Sequence, residues 1–299
     1  MTDTLRTLTE DQTADVLALV AAATEADSVP PLSEATLLHV RHHEVSDHHV
    51  DLVIGSGGEA LGYAHLDMPG DGDFSGEFVV HPKARRRGLG HALLDALLSR
   101  SDDLRVWAHG DLPAAAALAR AAGLVRVRAL WQMRRSLAEP LPSPAFPDDV
   151  ILRTFAPDKD EAAWLEVNAQ AFAHHPEQGG WTAEDLAMRE QEPWFDPDGF
   201  FLAEREGRLI GFHWTKIHPG SLGEVYVVGI DPGAQGGGLG RALTLAGVGY
   251  LKDRGLREVM LYVDEDNTAA VRMYSALGFE RWSTDVMYAL PGTATPALS

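Results

Sequence analysis

The 299-residue sequence has no cysteine, which excludes disulfides, thiolate metal sites and a covalent thioester on a cysteine nucleophile. Any group transfer must run without one. It also lacks an apolar run near the ~20 residues a bilayer-spanning helix needs, and residues 1–6 lack the basic-then-apolar order of a secretory signal. A cytoplasmic protein with no membrane partner is expected. Basic residues are scarce, 25 Lys and Arg against 44 Asp and Glu, and the resulting formal charge of -19 repels nucleic acid. A monomer acting on a small or cationic molecule is the expectation.

What is present is an apolar content of 45%, enough for a substantial core, and a length that suits two domains of roughly 140 to 150 residues. A motif occurs twice: Arg85-Arg86-Arg87-Gly88-Leu89-Gly90 and Gln235-Gly236-Gly237-Gly238-Leu239-Gly240. Each copy follows a short apolar run closed by a proline turn, Phe78-Val79-Val80-His81-Pro82 and Val228-Gly229-Ile230-Asp231-Pro232, and each opens a helical pattern. Glycines where a strand passes into a helix let a ligand approach exposed backbone N–H groups, an arrangement that holds a pyrophosphate. The turn matches neither GxxxxGK[ST] nor the dinucleotide-binding fingerprint.

The hydrophobic pattern predicts helices over 10–23 and just after Ser33, a hairpin of 50–54 and 60–66 around Gly55 to Gly58, and a strand over 76–80. A helix over 88–99, a strand over 104–108, a helix over 113–122 and a closing strand over 124–134 complete the first half. Pro140, Pro142, Pro144 and Pro147 mark 137–149 as a linker between domains at 1–136 and 150–290, with 291–299 a flexible tail. The second half repeats the order: strand 151–154, helices 161–171 and 183–189, strands 199–204, 208–217 and 224–230, helix 239–252, strand 258–263, helix 268–277 and strand 279–287.

The pattern [QR]xxGxG after a strand, followed by a strand and a helix ending Tyr274-Ser275-Ala276-Leu277-Gly278-Phe279, resembles the Gcn5-related N-acetyltransferase (GNAT) family across both halves. The resemblance implies an α/β fold of two tandem domains, each a splayed mixed sheet flanked by helices, with acetyl-CoA as acetyl donor and direct transfer to an amine. For the donor it implies Val228, Gly229, Ile230, Gln235, Gly236, Gly237, Gly238, Leu239, Gly240 and Arg241, with Asn267, Thr268, Ala269, Ala270, Val271 and Arg272 on the later helix. In the first copy it implies Phe78, Val79, Val80, Arg86, Arg87, Gly88, Leu89, Gly90 and His91.

Direct transfer needs a base for the ammonium proton and an acid for the departing thiolate. The residues expected in these roles are Glu224, at the head of the strand entering the second glycine motif, and Tyr274. Aligned on the glycines, Phe74 falls opposite Glu224, Ala119 opposite Tyr274 and Leu112 opposite Asn267, so the first copy is expected to bind CoA without catalysing. The runs Gly223 to Pro232, Gln235 to Leu245 and Leu261 to Asn267, with the tandem layout, resemble a branch of the family that acetylates the cysteinyl amine of a cysteine–glucosamine–inositol conjugate. That likeness implies Glu34, Glu177, Lys216, Glu224 and Tyr262 as acceptor residues. Other amines, such as an aminoglycoside, a polyamine or a protein N-terminus, remain alternatives, as does a CoA-sensing module without turnover.

Two features point elsewhere and are discounted. His42, His43, His48 and His49 show no spacing that places three ligands on one face with carboxylate support, so no metal is expected. Trp164, Trp181, Trp194 and Trp214 are expected mostly in the core.

Overall fold

The computed structural model describes residues 2–5, 8–42, 48–55, 59–68, 74–101, 103–173, 175 and 178–293. Glu177, His43, the hairpin glycines Gly57 and Gly58 and the tail from 294 on therefore lie outside the described residues. The rest falls into two contact units, Met1–Ala129 with Ser283–Thr295, and Leu130–Trp282.

In the first unit the order is β1 (Thr2–Leu5), α1 (Glu10–Asp27), α2 (Glu34–His42), β2 (His49–Gly55), β3 (Ala60–Asp67), β4 (Ser75–Val80), α3 (Leu89–Leu98), β5 (Arg105–Ala108) and α4 (Pro113–Ala121). Thr9 starts α1 with a reciprocal capping box: its hydroxyl accepts from the Gln12 N–H while the Gln12 side chain accepts from the Thr9 N–H. α4 begins at a proline and is followed by Gly123 at φ 77°, the left-handed position that ends a helix without steric cost. α3 and α4 cover one face of the sheet through Leu93, Leu94, Leu97 and Ala119. α1 covers the other through Val16, Leu19, Val20 and Ala23 around Tyr63.

The second unit runs β7 (Ile151–Thr154), α5 (Glu161–Ala171), α6 (Ala183–Glu190), β8 (Phe200–Arg205), β9 (Arg208–Ile217), β10 (Leu222–Ile230), α7 (Leu239–Asp253), β11 (Glu258–Asp264) and α8 (Thr268–Ala276). Trp164 and Trp214 are fully buried against Phe200 and Phe212 on the α5 face, and Leu245, Val248 and Leu251 of α7 pack on Val225 and Leu261 on the other. The expected α/β class, a mixed sheet with helices on both faces in each half, is what the chain adopts.

Three expectations differ from the structure. β1 is not expected from sequence, because Thr2–Leu5 carries no apolar alternation; it is an edge strand paired antiparallel with β2. The closing strands are exchanged between halves. β6 (Val125–Ser136) leaves the first unit and pairs antiparallel with β11, Gln132 opposite Tyr262 and Arg134 opposite Met260, while β12 (Glu280–Ala289) returns to pair with β5, Met287 opposite Trp107. Residue spacing shows that a strand exists but not which edge it completes, because edge pairing is a long-range choice.

The units accordingly do not divide at the proline-rich segment. Leu137 is buried, Leu141 packs with it, and Phe146 joins the cluster around Ile210 and Leu243. Arg135 Nη2 donates to the Pro140 carbonyl at 2.6 Å and Lys252 Nζ to the Glu139 carbonyl at 3.0 Å. Residues 137–149 are thus a strap on the second unit, held by side chains that an average over composition does not see.

Candidate active site

β10 and β11 run parallel and pair only from Leu222 opposite Glu258 to Val225 opposite Leu261. Beyond that point they separate. β10 also changes register against β9: Glu224 faces Lys216 and Val225 faces Thr215, but Val227 faces Trp214, so Tyr226 sits in a one-residue bulge at the mouth of the splay.

Glu224 is 6% exposed, and its Oε2 accepts a 2.7 Å hydrogen bond from His218 Nε2. Direct ladder partners share a sheet face, so Lys216, Glu224, Met260, Tyr262, Arg134 and Gln132 line one face across four strands. The buried Lys216 ammonium lies 4.4 Å from the Trp194 ring centroid and 5.1 Å from that of Tyr226, a cation–π seat that replaces lost hydration. Tyr262 is 41% exposed and accepts a 3.0 Å hydrogen bond from Gln132 Nε2.

Tyr274 approaches from the opposite face. It packs among Val225, Leu261, Val263 and Phe279, and burial pushes its hydroxyl pKa up to about 12. Among the described residues no hydrogen bond engages that hydroxyl.

Downstream of β10, Gly236, Gly237 and Gly238 hold φ of 94°, 59° and 82°, and a Cβ added at any of them would meet nothing within 4 Å. Gly238 caps α7 with no side-chain hydrogen bond; the Leu239 N–H donates to the Gly236 carbonyl at 3.4 Å, and the Gly240 and Arg241 N–H groups, among the described residues, are left open behind an exposed turn. The residues present fit a pyrophosphate: bare backbone donors, a helix N-terminus and the exposed Arg241 beside it. Leu239 points into the core, and Gly240 has room for a Cβ. Gly229 has a packing reason, since a Cβ there would come within 2.6 Å of Phe212. Val228 and Ile230 are half-buried on the same strand. Asn267 caps α8 by accepting from the Ala270 N–H; Thr268, Ala269 and Arg272 are exposed, and Ala270 and Val271 lean on the core.

The first unit builds the same turn with different contents. Gly88 caps α3 at φ 84°, Arg86 takes the left-handed conformation at φ 63°, and Arg86, Arg87 and His91 are exposed beside Leu89 and Gly90. Arg85 is committed elsewhere, with a bidentate pair to Asp27 at 2.7 and 2.6 Å. β4 faces β3 without a bulge, Phe78 opposite Ala64 and Ser75 opposite Asp67. Val228 and Phe78 hold the same place relative to Gly238 and Gly88, so counting through the ladders puts Ser75, not Phe74, opposite Glu224. The bulge inserts one residue, which a gapless alignment misses. Neither Phe74 nor Ser75 carries a carboxylate.

β4 and β5 separate after Gly76 and Val106, and Glu77, the next residue of β4, belongs to a buried ionic network. His109 Nδ1 lies 3.0 Å from Asp285 Oδ2 and its Nε2 lies 3.6 Å from Glu77 Oε2. Burial alone would lower the His109 pKa, but the Asp285 and Glu77 carboxylates overcome it and push it up to about 10. Burial would likewise raise Glu77, yet His109 and the Ser33 N–H, donating at 2.6 Å, hold it below its usual range. Glu34 follows Ser33 at the start of α2, in this unit, whereas Lys216, Glu224 and Tyr262 lie in the other. Sequence spacing does not single out His109, Glu77 and Asp285, because they come from the turn after β5, from β4 and from β12, far apart in the chain.

The histidines discounted above behave differently from one another. His42 is exposed, His48 Nδ1 donates to the Met68 carbonyl at 3.2 Å, and His49 is drawn inward. A different trio converges: His39 Nε2 and His65 Nδ1 lie 3.1 and 3.0 Å from the Asp51 carboxylate, which also accepts from Tyr63 at 2.6 Å. Their possible ligand atoms lie within 4.8 Å of one another. Hydrogen bonds from His39, His65 and Tyr63 outweigh burial and hold Asp51 well below the usual carboxylate range. Among the tryptophans, Trp164 and Trp214 are core, while Trp194 lies beneath Lys216.

The Acetyltransferase (GNAT) family profile matches residues 17–124 and 163–279, once in each half. The chain belongs to this family, as two family regions in tandem, and is an acetyl-CoA-dependent N-acetyltransferase. It is 60% identical over 280 residues to the mycothiol acetyltransferase of Thermobispora bispora, covering 91% of this chain and 94% of that one. Identity to the mycothiol acetyltransferase of Thermomonospora curvata is also 60%, over 95% of each chain. Among solved structures, a GCN5-related N-acetyltransferase from Sphaerobacter thermophilus matches with a TM-score of 0.69 at 27% identity, over 96% of this chain and 94% of that one. A tandem GNAT protein from the clavulanic acid biosynthesis pathway shares the fold, with a TM-score of 0.72 at 24% identity over 96% and 98%. Among the described residues no helix is long and apolar enough to cross a membrane.

Proposed function

We propose that the second unit acetylates the cysteinyl amine of a cysteine–glucosamine–inositol conjugate, giving mycothiol, with Glu224 as base and Tyr274 as acid. The supporting observation is the placement of the buried Glu224 one residue before the point where β10 and β11 part, on the strand that runs into the open glycine turn. Similarity to the mycothiol acetyltransferases over nearly the whole chain supports the choice of acceptor.

In this reading the Gly236–Gly238 turn and the N-terminus of α7 hold the CoA pyrophosphate, and the pantetheine arm lies in the splay. Glu224, directly or through a water, removes a proton from the acceptor ammonium, and His218 keeps the carboxylate oriented. The amine nitrogen bonds to the acetyl carbon as the carbon–sulfur bond breaks. Tyr274, still protonated up to about pH 12, gives its proton to the departing thiolate from the opposite face of the sheet. Lys216 and Tyr262, on the sheet face that carries Glu224, contact the acceptor. The first unit offers a glycine turn with Arg86 and Arg87 to CoA but has no base at Ser75 and no acid at Ala119, so it binds without turning over.

Thiol release from acetyl-CoA, followed with the cysteinyl pseudodisaccharide, an aminoglycoside, a polyamine and a peptide N-terminus, tests the reading. Turnover with another amine but not with the pseudodisaccharide sinks the acceptor; no turnover with any of the four sinks both the acceptor and the assignment of Glu224 and Tyr274.

A further inference from the structure

The first unit holds a buried cluster that acetyl transfer in the second unit does not use. Asp51 on β2 and His65 on β3 are direct ladder partners, and His49 lies two residues before Asp51, so the three side chains leave one face of the sheet. His39 reaches the same carboxylate from α2. His39, Asp51 and His65 are only 6%, 1% and 5% exposed. Asp51 faces His39 Nε2 at 3.1 Å, His65 Nδ1 at 3.0 Å and the Tyr63 hydroxyl at 2.6 Å, and among the described residues no Lys or Arg pairs with it. A carboxylate enclosed without a permanent cation calls for a counter-charge, which is either a proton on a histidine or a metal ion.

Two observations favour the metal. The nitrogen–oxygen separations of 3.0 and 3.1 Å come near the roughly 3.3 Å edge of a tetrahedron built on zinc bonds of ~2.0–2.1 Å, and the three possible ligand atoms lie within 4.8 Å of one another. Hydrogen bonding also leaves the cluster incomplete: the buried Nδ1 atoms of His39 and His49 have no hydrogen-bond partner among the described residues, Asp67 Oδ1 being 3.4 Å from His49 Nδ1 but not aligned for one. The His49 ring centroid lies 4.7 Å from that of His39 and 5.2 Å from that of His65. Imidazole nitrogens with one carboxylate are a donor set for a borderline divalent metal.

We propose that His39, Asp51 and His65 hold a divalent transition-metal ion, zinc by the donor set, with the His49 ring beside them as a fourth ligand. On binding, the ion takes the places of the hydrogens on His39 Nε2 and His65 Nδ1, and each imidazole carries its proton on the other ring nitrogen. The burial of all three ligands makes the role structural: the ion pins α2 to β2 and β3. Short-range spacing does not reveal the set, because His39 and His65 stand 12 and 14 residues from Asp51. The inference does not depend on the acceptor reading.

Tag-free full-length protein, stripped with a chelator, re-equilibrated with zinc and desalted, is counted for metal by elemental mass spectrometry. The expected result is about one zinc per chain, with Tm raised by several degrees by zinc and not by magnesium. His39→Gln and Asp51→Asn each lower the retained zinc by about 10-fold or more and abolish the rise in Tm, whereas Glu224→Gln retains zinc as wild type does. If wild type keeps no zinc and its Tm does not respond, the counter-charge is a proton and the inference is wrong. If His39→Gln and Asp51→Asn keep as much zinc as wild type, the ion lies elsewhere and the inference is equally wrong. Where those variants do not fold, anomalous diffraction at the zinc edge from wild-type crystals decides: a peak among His39, Asp51 and His65 supports the site, and a peak elsewhere or none overturns it.

Discussion

The two units share a strand, a glycine turn and a helix, yet the residues at the point where their central strands part differ. In the second unit the strand bulges at Tyr226, and the buried carboxylate of Glu224 answers to a single histidine. In the first there is no bulge, Ser75 takes the equivalent place, and a protonated His109 sits between Glu77 and Asp285. The glycine turn thus recurs on its own backbone geometry, whereas the bulge, the buried carboxylate of Glu224 and the buried phenol of Tyr274 occur only in the second unit. The network in the first unit also draws Asp285 from the last strand of the chain, which makes that unit's interior depend on the exchange.

The comparison breaks most sharply at the base. Glu224→Gln is expected to lower kcat about 10^3-fold, roughly 4 kcal/mol, with Ser75→Ala within twofold of wild type, in initial-rate assays of thiol release. Equal losses from both substitutions would mean that the units are not specialised.

His109→Gln is expected to cost about 3–5 kcal/mol of stability in urea unfolding, because it strands Glu77 and Asp285 in the interior without a cation. The pH dependence has a definite sign. His109 has a folded pKa raised above its unfolded value, so its contribution is complete below about pH 6.5 and is lost as pH rises toward about 10. His109→Gln lacks that decline.

Tyr274 sharpens the contrast at higher pH. With a folded pKa of about 12 against an ordinary value of 10.0, its contribution is intact below pH 10 and lost as pH rises through 12. Wild type should lose up to about 3 kcal/mol over that window relative to Tyr274→Phe, as measured by chemical unfolding at a series of pH values. Ala119, its counterpart, has nothing to titrate.

The smallest effect concerns the turn. Arg86 holds the left-handed conformation that glycine occupies in the second copy, so Arg86→Gly should stabilise the protein by about 1 kcal/mol, read as a rise in Tm. A fall in Tm would show that the Arg86 side chain contributes more than its backbone costs.

Much of this was legible in the residues. Helix and strand positions follow from apolar spacing and caps: β7, α5 and β9 begin and end where the pattern predicts, and Gly123 and Gly278 take positive φ after α4 and α8. The glycine turns were readable because positive φ favours glycine, as at Gly88, Gly236, Gly237 and Gly238, with Arg86 the exception. The bulge at Tyr226 was not readable, since one inserted residue leaves the alternation of Glu224-Val225-Tyr226-Val227 looking unbroken. His218 escaped notice because its partner lies across a turn, and Gln132 because its partner lies in the other half of the sequence.

By itself the sequence determined the elements, the duplicated glycine turn and the family, because local backbone preference and side-chain periodicity act over a few residues. Tertiary structure alone decided which edge each closing strand completes, that residues 137–149 strap the second unit, and which carboxylates are buried with which cations. Those choices rest on contacts between residues far apart in the chain, where the stability of a pairing depends on the edge that is open to receive it.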